Sequence, residues 1–214
     1  MGTGSSTLEE VRAALPEDAR SRLTSIELAE LQVAFEAIAT EGSLDAAAMA
    51  AALPAGLPWE KLHAAMVAAV ADLGKDALPQ PDALSYAGLV VGLARTVRAR
   101  ASGREHVRFW RSLYAPDDDG PMGAGPLAAL LRGALHASRS GESAASTASE
   151  TFDAACAEAA SLNADEFVAW AADQLPALHA AFEGYVLGAL CGLAGGAVAG
   201  VGGSSPAREV SATP

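Results

Sequence analysis

The chain has 214 residues, enough to bury the core of one large domain or two small ones. Its formal net charge of −12 gives phosphate contacts little to build on and excludes nucleic acid as a partner. Apolar residues make up 51 % but aromatic residues only 5 %, so the core must be built from Ala, Leu and Val, a mix that favours helices. Residues 1–20 read as a flexible leader with a short helix. Thr24-Ser25-Ile26-Glu27 is a capping box, in which the threonine and glutamate side chains satisfy the first orphan amides. Leu28, Leu31, Phe35 and Ile38 then recur at helical spacing until Glu41-Gly42-Ser43 ends the run. An alanine-rich helix follows to Leu53. Pro58 starts another, with Trp59, Leu62, Met66 and Val70 on one face and Gly74 at its end. Beyond a proline-rich connection at 78–81, a helix is expected over about 84–100, broken by Ser102-Gly103. Residues 106–114 form a compact helix carrying Phe109, Trp110 and Leu113, and after an acidic loop the next helix spans 127–137.

Residues 138–149 are a polar, low-complexity insert with nothing to bury. Helices are expected at 151–160 and 164–172, then a C-terminal helix from Pro176 to Leu193. Residues 194–214 read as a Gly/Ala/Ser-rich linker or tail. No alternating strand pattern of useful length occurs, so the fold class is all-α. The order helix, loop, helix occurs four times. It divides the chain into a first pair at 21–101 and a second at 102–175, the two lobes of an EF-hand-like arrangement.

The acidic loop YAPDDDGPMGAGP, residues 114–126, is the segment to test for calcium. An EF-hand loop draws oxygen ligands from positions one, three, five, seven and nine and a bidentate glutamate at twelve, with glycine at six. With Gly120 at six, Asp117 falls at three, Asp119 at five and Met122 at the apolar position eight. Position one is Ala115 and position twelve is Pro126, which removes about half the shell of six to eight oxygens. Pro126 reads instead as the start of the exit helix. The other loops are poorer. Leu44 and Ala48 hold positions eight and twelve of the first. The second is proline-laden and ends at Gly88. The fourth keeps Leu162, Glu166 and Phe167 but has Ala155, Ala157 and Ala159 where ligands belong. The expectation is packing retained and metal chemistry lost. No metal or other cofactor is expected, and any calcium would sit on Asp117 and Asp119.

Residues 103–135 (GREHVRFWRSLYAPDDDGPMGAGPLAALLRGAL) resemble, without a gap, the third EF-hand of calcineurin-B-like and neuronal calcium-sensor proteins. The wider arrangement is similar to the N-terminal region of TLD-domain (TLDc) proteins, the lysosome-associated kind linked to mTOR signalling and their plant and algal relatives. The likeness lies in Met1-Gly2 with a serine-bearing leader, degenerate helix-loop-helix repeats, and residues 166–170 (EFVAW) followed by Gln174-Leu175-Pro176 and Phe182. It covers roughly residues 1–193 and implies an EF-hand-like regulatory module whose TLD domain would follow. The expected localisation is cytoplasmic, free or peripheral on a membrane, and on that resemblance the membrane would be lysosomal or vacuolar.

Met1-Gly2-Thr3-Gly4-Ser5-Ser6 satisfies the acceptor pattern for N-myristoylation at Gly2. One acyl chain binds membrane only marginally, so a second signal is required. Arg95, Arg98, Arg100, Arg104, Arg108 and Arg111 supply a local reversal of charge that acidic lipid headgroups or an acidic partner would meet. The competing reading is a solvated face whose arginines pair with acids elsewhere in the fold. Gly184, Gly188, Gly192, Gly196 and Gly200 fall at four-residue intervals in an uncharged stretch. That stretch is read either as a final helix followed by a linker or as a small membrane anchor of the Gly-zipper type. Cys156 and Cys191 read as separate reduced thiols of an intracellular protein, and no signal peptide opens the chain. His63, His106, His136 and His179 are spread singly and read as boundary residues. No nucleophile elbow or phosphate-binding loop is present, so an enzyme is not expected. The reading is a non-catalytic adaptor that binds a partner helix in a groove, one from its own polypeptide included, or docks on a membrane. A calcium sensor is the alternative.

Overall fold

Most helix starts are set by one side chain immediately before them, and the computed structural model places those caps where such residues occur. It describes Ala13 and residues 15–54, 57–99, 102–115, 119–138, 160–174 and 178–199. Among these lie nine α-helices, one 3-10 segment and no β-strand, so the fold is all-α. After α1 (Glu17–Arg20), α2 (Ser25–Ile38) begins with the full Thr24/Glu27 capping box. Asp45 caps α3 (Ala46–Ala52), and Pro58 precedes α4 (Trp59–Ala69). A 3-10 segment, Ala71–Asp76, breaks at Gly74 (φ 62°) and leads through Ser85, the cap, into α5 (Tyr86–Arg95). A second capping box, Ser102/Glu105, starts α6 (Gly103–Tyr114). Next come α7 (Ala124–Ser138), α8 (Ala164–Gln174) and α9 (Leu178–Ala199). Asn163 and Glu166 exchange backbone-to-side-chain bonds of 3.0 Å at the start of α8.

Several boundaries differ from the sequence reading, each for a local reason. The helix expected over 84–100 is shorter. It closes after Arg95 because Thr96 Oγ1 donates to Gly92 O at 2.7 Å and Arg98 N–H to Leu93 O at 2.9 Å, turning the chain. Helix α7 starts before Pro126, just after Gly123 at φ 73°, since a proline in the first turn removes only an amide that has no partner there. Helix α9 runs past Leu193 to Ala199. The helix expected at 151–160 and the insert 138–149 lie, apart from their edge residues Ser138 and Ala160, outside the described residues.

In the first half, α3 and α5 pack against α4, and the loops before α3 and α5 meet through one reciprocal pair of backbone bonds. Leu44 N–H donates to Leu84 O at 2.8 Å and Leu84 N–H to Leu44 O at 2.9 Å, with both side chains fully buried. Buried His63 adds a third tie, its Nε2–H donating to Leu44 O at 2.9 Å. In the second half, α7 and α8 each pack on α6. One apolar cluster runs through both halves, from Leu15 and Leu31 to Trp110, Phe167 and Phe182.

Candidate functional site: the seat of the C-terminal helix

Helix α9 joins the two halves. It packs most extensively on α2, then on α7 and α6. Leu178, Phe182, Val186, Leu187 and Leu190 recur every three or four residues and are buried, so one face of α9 is an apolar stripe. Each such side chain is worth roughly 1.5–3 kcal/mol in the seat. Phe182 stacks on Trp110 with ring centroids 4.5 Å apart, and Tyr114 flanks it at 6.3 Å. Tyr185 stacks on Trp59 at 6.1 Å, which ties α9 to α4 as well. The stripe Gly184, Gly188 and Gly192 is exposed, with no atom within 4 Å of where a Cβ would stand, so these glycines face away from the seat. Among the described residues no helix is long and apolar enough to cross a membrane.

A polar seam edges this apolar contact. Glu183 of α9 pairs with Arg98 Nε at 3.0 Å, and the same guanidinium holds Glu27 of α2. Burial raises the Glu27 pKa, but the Thr24 hydrogen bonds and Arg98 outweigh it, and the carboxyl lies below its usual range. Farther along α9, burial first and then Glu30 of α2 push the Cys191 thiol up to about 12, which leaves it protonated and a poor nucleophile.

The arginines singled out in the sequence are dispersed over the fold. Arg95 pairs with Asp18 at 3.1 Å and Asp72 at 2.7 Å and donates to Ala69 O at 2.8 Å. Arg98 bridges Glu27 and Glu183, and Arg108 pairs with Asp165 of α8. Arg104 is exposed. Arg111 is buried and donates to Gly120 O. Gly2, Arg100 and Asp117 lie outside the described residues, and Asp119 is exposed. In the acidic loop, then, a buried guanidinium reaches the turn carbonyl, and its charge opposes a second cation nearby. Among the described residues no group of three or more His, Cys, Asp or Glu is placed to hold a metal ion. An open depression of about 530 Å³ lies elsewhere, between α3 and α4, with Asp45, Asp82, His63 and Val67 in its lining.

No family model matches the chain, and no curated protein or solved structure matches it significantly.

Sequence reasoning misses the pairing of His106 and His179, which stand singly along the chain. The two imidazoles stack at the start of α9, and Trp110 donates to His179 Nδ1 at 3.0 Å. A signal was present in helical spacing: His106 and Trp110 are four apart on α6, and His179 and Glu183 four apart on α9, so each pair shares one face.

Proposed function

We propose that the chain is a non-catalytic adaptor built from two EF-hand-like pairs, that it recognises an amphipathic helix in a groove, and that α9 is the resident occupant of that groove. The observation that carries this reading is the seat itself: one helix with an apolar face at three- and four-residue spacing, laid across α2, α6 and α7. The EF-hand-like part is supported by the Leu44–Leu84 pairing. Counting Gly42 (φ 75°) as the sixth residue of its loop makes Leu44 the eighth, the place where paired EF-hand loops exchange backbone bonds. In the second half Gly123 N–H reaches Ala160 O at 3.3 Å, beside Met122 and Leu162, the eighth residues of their own loops. Membership of the TLD-domain proteins is part of the same proposal and rests on the sequence resemblance.

A groove with a resident helix is regulated by competition, since a partner helix must displace α9. The test uses a labelled peptide of residues 178–193 and the full chain carrying Cys156→Ser and Glu30→Cys, which sets a second thiol opposite Cys191. Oxidised, this chain is expected to refuse the peptide; reduced, it is expected to bind it, and Phe182→Ala in the reduced chain is expected to tighten binding about tenfold by loosening the resident helix. No binding to the reduced chain or to the Phe182→Ala chain would overturn the reading.

A further inference from the structure

The first turn of α9 meets α6 through two imidazoles lying face to face. His106 and His179 stack with ring centroids 3.4 Å apart and planes 11° from parallel. An indole nitrogen can only donate, so the 3.0 Å bond from Trp110 Nε1–H requires a lone pair on His179 Nδ1. The single proton of the neutral ring is therefore on Nε2, which faces Glu183 Oε2 at 3.2 Å. His106 Nε2 lies 2.9 Å from Ala99 O, and a carbonyl can only accept, so that nitrogen carries hydrogen too. A second proton on His179 has one place to go, Nδ1. There it opposes the indole N–H and puts a positive charge 3.4 Å from the other ring.

We propose that this stacked pair is a pH-sensitive latch: protonation of His179 at Nδ1 breaks its bond to Trp110 and loosens α9 from its seat, beginning at the first turn on α6. The inference rests on the reading of α9 as a displaceable occupant. His106 meets the ring face to face, and its charge helps to keep a second proton off His179. Glu183 on α9 favours the charged ring, but its carboxylate is already shared with Arg98, which also holds Glu27 of α2. Glu105 of α6 stands near His106 and is held by its own cap at Ser102. Tyr114 of α6 and Tyr185 of α9 are pushed upward by burial and stay neutral. On α7, Arg132 is exposed and turns back to Ala128 O. Burial and then His106 hold the His179 imidazolium down to about 4 while α9 is seated.

The direction follows from that depression. A freed His179 returns to about 6.5, so the open form binds the extra proton. The latch is fully closed above about pH 7, and it loosens as pH falls from 6.5 towards 4. Between about pH 7 and pH 5 the opening equilibrium is expected to grow roughly 20-fold.

The thiol of Cys191 reports on the seat from the far end of the same packed face. In the Cys156→Ser chain its reaction with dithiodipyridine, normalised to a short thiol peptide at each pH, is expected to rise roughly 20-fold over that range. In His179→Gln, which keeps a neutral polar side chain, the rise is expected to shrink below about threefold. In Trp110→Phe, which leaves Nδ1 free to accept a proton while α9 is seated, the rise is expected to level off at higher pH. Circular dichroism establishes that each variant is folded. A full rise in His179→Gln, or an unmoved transition in Trp110→Phe, overturns the latch while leaving α9 displaceable. Should Cys191 in the parent chain react only through global unfolding, with the full urea dependence of that transition, the underlying reading of α9 fails as well.

Discussion

Replacing Trp110 by alanine is expected to lower the unfolding free energy by about 4 kcal/mol, and the thermal midpoint by roughly 8–16 °C. Trp110 is wholly buried, stacks on Phe182 at 4.5 Å and meets Phe109 edge-on at 5.1 Å. Its indole nitrogen also supplies the donor that fixes the His179 tautomer. Truncation therefore removes a large apolar volume, an aromatic stack and a partly buried hydrogen bond between α6 and α9. Trp170, half-buried on α8 beside Phe167, provides the comparison, and its alanine variant is expected to lose less than half as much. Urea titration of the two variants checks the order. Equal losses would mean that the α6–α9 contact is not the stronger tie.

The second large effect concerns the first turn of α5, where the loop before it ends. Gly88 stands where the sequence comparison with a calcium loop asks for a glutamate, so Gly88→Glu is the obvious attempt at restoring a metal ligand. It is expected instead to destabilise the chain by about 3 kcal/mol or more and to leave the midpoint unresponsive to calcium. A Cβ at residue 88 would lie 2.3 Å from Ala77 O, a backbone atom that no side-chain rotation can move away. That carbonyl is fixed in turn by Ser85 N–H at 2.8 Å, while Ser85 Oγ donates to Asp76 O at 2.6 Å and accepts from Gly88 N–H at 3.0 Å. Since the clash is at Cβ, Gly88→Ala is expected to cost nearly as much as Gly88→Glu. Thermal melts of both variants with and without calcium decide the point, and a calcium-dependent rise in Gly88→Glu would show that the loop opens readily enough to take a ligand.

How much of this was legible beforehand depends on the range of the physics involved. Helix starts are local: the Thr24/Glu27 box and the apolar spacing of Leu28, Leu31 and Phe35 act within a turn or two, and α2 forms where they say. The end of α5 is also local, but it turns on a threonine hydroxyl bonding back to Gly92 O, and spacing alone carries no such sign. Glycines are ambiguous in sequence. Gly92 reads like a weak point in a helix, yet a Cβ there would lie 2.8 Å from the Met66 Cβ, so it is a contact that lets α5 approach α4. The arginines were legible only in kind. Six in one stretch read as a face paired with acids elsewhere in the fold, but which acids is not local: those of Arg95, Arg98 and Arg108 lie on α1, α2, α8, α9 and the 3-10 segment, which only the tertiary fold brings near. The seat of α9 was half visible. Its apolar face follows from Phe182, Val186 and Leu190, whereas the stacking of His106 on His179 joins residues that no local pattern relates.

Native-state hydrogen exchange on the full chain tests most directly whether α9 is a displaceable occupant. Amides from Phe182 to Leu190 are expected to exchange through a local opening with little urea dependence. The opening free energy is expected to lie at least about 2 kcal/mol below that of Leu62 and Leu89 in the core of the first half. If those α9 amides exchange only with the global transition, at the same free energy and the same urea dependence as Leu62 and Leu89, α9 is a permanent part of the core and the groove has no vacancy to offer a partner.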